Sequence, residues 1–108
     1  MGQRESRLSK RISDVLREQY GFDLFIFKVW GSDHMMAGLP DLVGCVQGLF
    51  FGLEVKHPET KENVSARQEF VHRQILNAGG ICAVVTTPTE ALEVLDDALK
   101  ARDMRPHK

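Results

Sequence analysis

The sequence predicts an α/β fold, a mixed central sheet flanked by helices, with elements in the order α-β-β-β-α-β-α. Three observations support this prediction. Three segments carry helix signals, either an apolar stripe or a capping residue at the start. Four short runs rich in branched and aromatic residues are typical of strands. Only Gln47 and Gly48 separate the second and third runs, which is the length of a β-hairpin loop.

The first half of the chain is predicted to hold one helix and three strands. The helix is expected over residues 5–18, and Gly21 marks its end. Its apolar stripe consists of Leu8, Ile12, Val15 and Leu16. A strand is expected over residues 22–30, followed by a turn-rich loop over 31–40. Two further strands are expected over residues 41–46 and 49–56, paired as the hairpin.

The second half is predicted to add a helix, a buried strand and a final helix. A Ser-x-x-Gln capping box at residues 65–68 opens the first of these helices, and the glycine pair at 79–80 ends it. The strand is expected over residues 81–85, after a crossover that should be right-handed. Thr87, Pro88 and Glu90 combine an N-cap, a first-turn proline and a capping glutamate. Residues 101–108 are expected to fray.

Length and charge bound the class of protein. The 108 residues fit one domain spanning 1–108. The net charge of -1 does not mark a nucleic-acid binder, so any such surface must come from local distribution. Cys45 and Cys82 lie in apolar runs and are expected to be reduced core residues rather than zinc ligands. No segment has the pattern of a signal peptide or a membrane span, so we expect a cytoplasmic protein, bacterial or from a phage-infected host.

The predicted hairpin brings charged residues together. A two-residue loop pairs Val46 with Leu49, and counting outwards places Asp41 directly opposite Glu54. Lys56 lies two residues beyond Glu54 and therefore shares its face. A slip of one residue in register would separate these groups.

The two opposed carboxylates repel each other, so a cation must offset them. A divalent ion is one candidate, since hard oxygen ligands at this separation suit Mg²⁺ or Mn²⁺. Lys56 alone, in an ordinary salt bridge, is the alternative and the more common arrangement. Two features favour a functional site: Asp41 follows a long loop, and Glu54 and Lys56 interrupt an apolar strand.

These residues also match a known motif. Pro40-Asp41 followed by Glu54-Val55-Lys56 resembles the signature of the PD-(D/E)XK nuclease superfamily. The wider ordered set over residues 5–85 is similar to the VRR-NUC family within it, in its stand-alone phage or bacterial type. That set consists of Glu5, Lys28, GLPDLV, LEVK, Ser65 and Gln68. The resemblance implies a restriction-endonuclease-like fold and a metal-dependent nuclease.

The resemblance implies a role for each core residue. Asp41, Glu54 and the carbonyl of Val55 would hold Mg²⁺ or Mn²⁺, which polarises a phosphoryl oxygen and lowers the pKa of a bound water. Lys56 would orient that water and stabilise negative charge in the transition state.

Two further residues are assigned to the site by the resemblance alone. Glu5 would add a carboxylate to the metal site, although an acidic residue near a helix N-terminus is ordinary. Gln68 would lie at the rim of the active site, although the capping box explains it equally well.

Basic and aromatic residues are candidates for contacts with DNA. Arg4, Arg7 and Arg11 share one stripe of the first helix and could track phosphates, and Lys28 joins them by resemblance. Solvated side chains are the alternative for all four. The aromatic residues could stack on bases, but their alternation along a strand favours core positions. They are Phe25, Phe27 and Trp30.

The predicted function is that of a metal-dependent, structure-selective DNA endonuclease that hydrolyses phosphodiesters, with branched DNA such as four-way (Holliday) junctions as substrate. A catalytically silent nucleic-acid-binding module and an interaction protein with a simple salt bridge are the alternatives. Cutting both strands takes two sites, so a homodimer is expected. The resemblance implies dimeric junction resolvases as well. The final helix and the loop over 31–40 are the candidate interfaces.

Overall fold

The computed structural model of the chain describes residues 3–31 and 34–104. The predicted order α-β-β-β-α-β-α is confirmed. The helices are α1 (Gln3–Tyr20), α2 (Ala66–Asn77) and α3 (Pro88–Asp103), and the strands are β1 (Leu24–Lys28), β2 (Leu42–Val46), β3 (Leu49–Val55) and β4 (Ile81–Val85). Short 3₁₀ turns occupy Gly21–Asp23 and Pro58–Thr60.

The four strands form one mixed sheet in the order β1-β2-β3-β4. The first two pairings are antiparallel, and β4 runs parallel to β3. The turn between β2 and β3 has positive φ at Gln47 (48°) and Gly48 (83°), which matches the twist that a two-residue hairpin requires. Val46 faces Leu49 and Leu42 faces Leu53, so the predicted register is confirmed.

The helices divide between the two faces of the sheet. Helices α1 and α3 contact each other and pack on one face, where they enclose the main apolar core. Its largest fully buried members are Ile12, Leu16, Leu42, Phe51, Leu53 and Leu95. Helix α2 contacts β3 and β4 on the other face. Because side chains alternate along a strand, Glu54 points towards α2 while its neighbours Leu53 and Val55 enter the core.

The aromatic residues of β1 are exposed, although their alternation along the strand predicted core positions. Phe25 is 64% exposed and Phe27 is 46% exposed, and their rings lie 5.7 Å apart. Phe50, which lies on the same face, is also exposed. The reason is that α2 covers this face over β3 and β4, which leaves the part formed by β1 and β2 open. Strand β1 is also shorter than predicted, since the 3₁₀ turn takes residues 22–23.

Three smaller expectations are also corrected. Helix α3 continues to Asp103 instead of fraying from residue 101, and Arg102 donates to the carbonyl of Gln47; residues 105–108 lie outside the described chain. The carboxylate of Glu90 accepts from the backbone N–H of Thr86, one residue before the N-cap Thr87. Cys45 and Cys82 are free thiols but only half-buried. In the described ranges, no helix is long and apolar enough to cross a membrane.

Candidate active site

Asp41 lies directly before β2, and hydrogen bonds to the neighbouring strands hold both its backbone carbonyl and its carboxylate. Its backbone carbonyl accepts from the N–H of Val29 at 2.8 Å, which extends the pairing with β1. Its carboxylate oxygen Oδ2 accepts from the N–H of Val55 at 2.8 Å, so the side chain continues the pairing with β3 just before β2 begins at Leu42. The preceding Pro40 is buried against Gly52. The carboxylate is therefore fixed beside the end of β3.

Glu54 is a buried carboxylate with only 2% of its side chain exposed. Its Oε1 accepts from Gln68 Nε2 at 2.8 Å and lies 3.8 Å from Lys56 Nζ. Its Oε2 lies 3.8 Å from His72 Nε2, which is an ion-pair distance and too long for a hydrogen bond. Neither of these last two atoms has a hydrogen-bond partner. Burying a carboxylate oxygen in this way is costly unless a cation faces it.

Gln68 joins the start of α2 to Glu54. Its Oε1 accepts from the N–H of Ser65 at 2.9 Å, and the Ser65 hydroxyl accepts from the N–H of Gln68 at 3.1 Å. These bonds form the predicted capping box. Because the amide oxygen is engaged by Ser65, the amide nitrogen is left to donate to Glu54. The Gln68 side chain therefore caps α2 and contacts Glu54 at the same time.

The charges of the site perturb one another. Burial, followed by the negative charge of Glu54, raises the pKa of Asp41 to about 7 against the lowering effects of the Val55 N–H and Lys56. The Cys82 thiol and then the Glu54 carboxylate raise the pKa of His72 to about 9, against the opposing effect of burial. At neutral pH the site therefore combines two carboxyl groups with two cationic side chains.

His72 is the member of this cluster that the sequence reasoning missed. It lies four residues after Gln68 on α2, so the two side chains share one helix face. That spacing was the available signal. Another described histidine, His34 in the loop over 31–40, is exposed.

The donor set fits a divalent cation. Two carboxylates meet at the end of β3, one of them carries a buried oxygen without a hydrogen bond, and the other has its pKa raised by its neighbour. Oxygen donors of this kind suit Mg²⁺ or Mn²⁺. Within residues 3–31 and 34–104, no three histidine, cysteine, aspartate or glutamate side chains form a group able to hold a metal. Glu5, half-buried on α1, is therefore not brought together with Asp41 and Glu54 in such a group.

The arginine stripe of α1 borders the ends of β3 and β4. Arg4, Arg7 and Arg11 line a surface cavity of about 430 Å³ together with Leu8, His57, Pro58 and Thr86. The Arg4 guanidinium lies 2.6 Å from Nε2 of His57, which directly follows Lys56. All three arginines are exposed. The stripe thus faces the strand end from which Lys56 extends.

Lys28, at the end of β1, reaches α1 and shares a cleft with Asp41. Its ammonium donates to the Ser6 hydroxyl at 3.0 Å and stands 4.2 Å from the centre of the Trp30 ring. A cleft of about 330 Å³ includes both residues and Asp41. The structure therefore places Lys28 beside one of the candidate carboxylates.

A four-stranded mixed sheet with carboxylates at the start of β2 and the end of β3, and helices on both faces, defines a nuclease-like fold. Comparison with solved structures gives a match to a VRR_NUC domain, with a TM-score of 0.67 and 23% sequence identity. The match covers 88% of this chain and 97% of that chain. The chain has the fold of a VRR_NUC domain, and the resemblance found in the sequence is confirmed at the level of the fold. No protein-family model matches the chain, and no curated protein matches it.

The raised pKa of Asp41 predicts that the metal-free protein loses stability as pH rises. The folded protein holds a proton on Asp41 up to about pH 7, whereas the ordinary value is 3.8. The stability that protonation contributes is therefore complete below the ordinary value and lost as pH rises through the folded one. Replacing Asp41 with Asn keeps an acceptor for the Val55 N–H and removes the charge. We expect Asp41→Asn to gain stability over the wild type at about pH 8 and much less at about pH 5.

Urea unfolding in EDTA at both pH values measures this difference. Asp97→Asn, at an exposed position on α3, is the matched control and should track the wild type at both. A stability difference between Asp41→Asn and the wild type that is independent of pH would contradict the assignment of the shift.

Proposed function

We propose that the chain is a divalent-metal-dependent endonuclease acting on DNA, with Asp41, Glu54 and Lys56 at its centre. The observation that carries this proposal is the convergence of two carboxylates, one of them 2% exposed, at the start of β2 and the end of β3 of a VRR_NUC fold. Such a pair is costly to maintain unless a cation occupies the space between the groups. A metal-assisted reaction uses that arrangement directly.

Three oxygen donors would hold the metal: the carboxylates of Asp41 and Glu54 and the carbonyl of Val55. The N–H of Val55 points to the Asp41 side of β3, and the N–H and C=O of a strand residue point to the same edge. The carbonyl of Val55 therefore lies on the side of Asp41. Bound there, Mg²⁺ or Mn²⁺ supplies Lewis-acid chemistry and lowers the pKa of water. Glu5 is proposed as an additional ligand on the family resemblance alone.

Lys56 and Gln68 both approach the Oε1 atom of Glu54. The Lys56 side chain is 16% exposed, so its ammonium is held near the carboxylates yet reaches solvent. It would orient the attacking water and stabilise the negative charge that develops on the phosphoryl oxygens. Gln68 would position Glu54 by donating to Oε1 at 2.8 Å. His72 would hold the same carboxylate from α2.

DNA would be held by cationic side chains near the carboxylates. Arg4, Arg7 and Arg11 would contact phosphates along α1, and Lys28 would do so beside Asp41. This local distribution explains how a chain with a net charge of -1 could bind a polyanion.

A catalytically silent nucleic-acid-binding module is the second candidate, and one observation favours it. Lys56 Nζ and His72 Nε2 each stand 3.8 Å from an oxygen of Glu54, and Asp41 retains its proton up to about pH 7, so the cluster offsets its own charges without a metal. In that case the site would be a buried ion-pair network. Metal binding and metal-dependent cleavage distinguish the two candidates.

We further propose that the protein is a two-fold homodimer acting on branched DNA. Each chain carries one site, and paired cuts in a four-way junction need two. The exposed sheet face formed by Phe25, Phe27 and Phe50 offers apolar surface for a second copy, besides the final helix and the loop over 31–40. Arg17 donates to the carbonyl of Ile26 at 3.3 Å and so occupies the free edge of β1. A second copy would therefore meet the face rather than the edge.

Cleavage is the direct test of the nuclease proposal. We expect Asp41→Ala, Glu54→Ala and Lys56→Ala each to lower the rate by about a hundredfold or more, because each removes a charge that acts on the transition state. The assay uses labelled duplex and branched DNA with Mg²⁺, Mn²⁺ or EDTA, and circular dichroism confirms folding.

The matched controls for these three variants are Asp97→Ala, Glu93→Ala and Lys100→Ala, which remove the same residue types at exposed positions of α3. They should cleave like the wild type. Full activity in a folded Asp41, Glu54 or Lys56 variant would refute the mechanism.

Thermal unfolding tests metal binding without relying on activity. Millimolar Mn²⁺ should raise the melting temperature of the wild type by mass action, because the folded site binds the ion and the unfolded chain does not. Asp41→Ala should lose this response while Asp97→Ala keeps it. A wild-type melting curve indifferent to Mn²⁺ would favour the self-balanced ion-pair network.

Light scattering and an immobile four-way junction test the assembly and the substrate. We expect a dimer that makes paired symmetric nicks in the junction. Phe25→Arg should produce a monomer if the sheet face is the interface, whereas Phe22→Arg, at a fully exposed position in the 3₁₀ turn before β1, should not. A strict monomer that cuts flaps and ignores junctions would refute this proposal and leave the nuclease proposal intact.

A further inference from the structure

The single tryptophan of the chain, Trp30, is exposed to solvent beside the candidate site. Trp30 is 70% exposed and follows the end of β1. Its ring carries the ammonium of Lys28 at 4.2 Å from the ring centre. An indole this exposed contributes little to the core, and the main core cluster does not include it. Trp30 lines two neighbouring clefts, which makes it a candidate for contact with a ligand.

The first cleft joins Trp30 to Asp41. Its walls are formed by the indole and by Met35, Met36 and Leu39, which lie in the loop between Trp30 and Asp41. Lys28 is the cationic residue of this cleft. Within the described ranges, Lys28 makes no ion pair with a carboxylate at 4.0 Å or less. The cleft is thus apolar along its sides, positively charged at one point, and bounded by a proposed metal ligand.

The second cleft lies on the other side of Trp30, along α1. Three serines and three cationic residues line it together with Trp30 and Leu42, no carboxylate does, and most of the surface exposed in it is apolar. Ser13 is only 7% exposed, and its hydroxyl makes no hydrogen bond with the described part of the chain. Lys10 and Arg17 both pair with Asp14, which lies outside the lining. Hydroxyls and cations together are the groups that contact the sugar–phosphate backbone.

We propose that Trp30 stacks on an unpaired nucleobase next to the phosphodiester held at Asp41, and that the strand continues along the α1 cleft. Lys28 would contact the phosphate of that nucleotide. This proposal rests on the proposed function for the site itself. The stacking face of a base is available only when the base is released from a duplex, and aromatic rings are sequence-tolerant platforms for it.

This subsite would make the substrate a strand with an unpaired nucleotide at the cut, such as a flap, a gap or an opened junction. An apolar protein segment would fit the first cleft less well, because it would bury the ammonium of Lys28 with the Ser6 hydroxyl and the indole but without a counter-ion. A phosphate beside the indole neutralises that charge. The charge and the ring together therefore favour a nucleotide.

Intrinsic fluorescence tests the proposal, because Trp30 is the single tryptophan of the 108 residues. We titrate the full chain in EDTA, which prevents cleavage, with a short oligothymidylate and with a blunt duplex of equal length. Stacking should quench the indole emission with the single strand and much less with the duplex. Anisotropy of a labelled oligothymidylate then gives the Kd of variants.

Trp30→Ala should raise that Kd by about tenfold, within the range that base–aromatic stacking supports. Trp30→Phe should restore part of the loss, because a smaller ring still stacks. Lys28→Met should weaken binding and lower the salt dependence by about one phosphate contact. Phe22→Ala removes a fully exposed aromatic ring beyond the opposite end of β1 and should bind like the wild type.

The outcomes separate this proposal from the nuclease proposal. An unquenched indole together with an unchanged Kd for Trp30→Ala would overturn the stacking subsite, whether or not the protein cuts DNA. Equal quenching by single strand and duplex would overturn the claim that the base must be unpaired. Selective quenching in a protein that never cuts with Mg²⁺ or Mn²⁺ would uphold the subsite and refute the nuclease.

Discussion

The two-residue turn at Gln47 and Gly48 decides which residues of β2 and β3 face each other, and the candidate site depends on that register. Positive φ at both positions closes the hairpin with Val46 opposite Leu49. The same alternation sends Leu53 into the core and Glu54 to the other face. A register shifted by one residue would exchange these side chains between core and site, so the apolar core and the carboxylate pair enforce the same pairing.

This register buries the carboxylate of Glu54, whose side chain is only 2% exposed, and a buried charge is costly. Helix α2 offsets most of that cost. The helix supplies an amide donor and an imidazolium, and β3 supplies an ammonium. Asp41 is stabilised differently, by the backbone N–H of Val55, which lies beyond the point where β2 begins and therefore has no backbone partner there. The site is therefore assembled from places where regular structure stops: the beginning of β2, the end of β3 and the first turns of α2. Backbone and side-chain groups that regular pairing does not use become available there.

The parts of this arrangement that local pattern controls could be predicted from the sequence, and the parts that packing controls could not. Turn chemistry and alternation predicted the facing of Asp41 and Glu54, and the capping pattern predicted the start of α2. The approach of His72 to Glu54 depends on how α2 crosses β3, which no local signal specifies. The exposure of Phe25 and Phe27 likewise depends on how much of the sheet one helix covers. Their alternation resembled that of a buried strand, and the missing second helix on that face made the difference.

Gln68 makes two side-chain hydrogen bonds, and together they restrict which residue types can occupy its position. In most capping boxes glutamate and glutamine are interchangeable, because the helix start needs only an oxygen at that place. Here the side chain must accept from Ser65 and donate to Glu54 at once, and a carboxylate would set a third negative charge against the other two. A change of Gln68 to glutamate, which a capping box alone would accept, is thereby closed off. The start of α2 and the charge of Glu54 are bound together through this one amide.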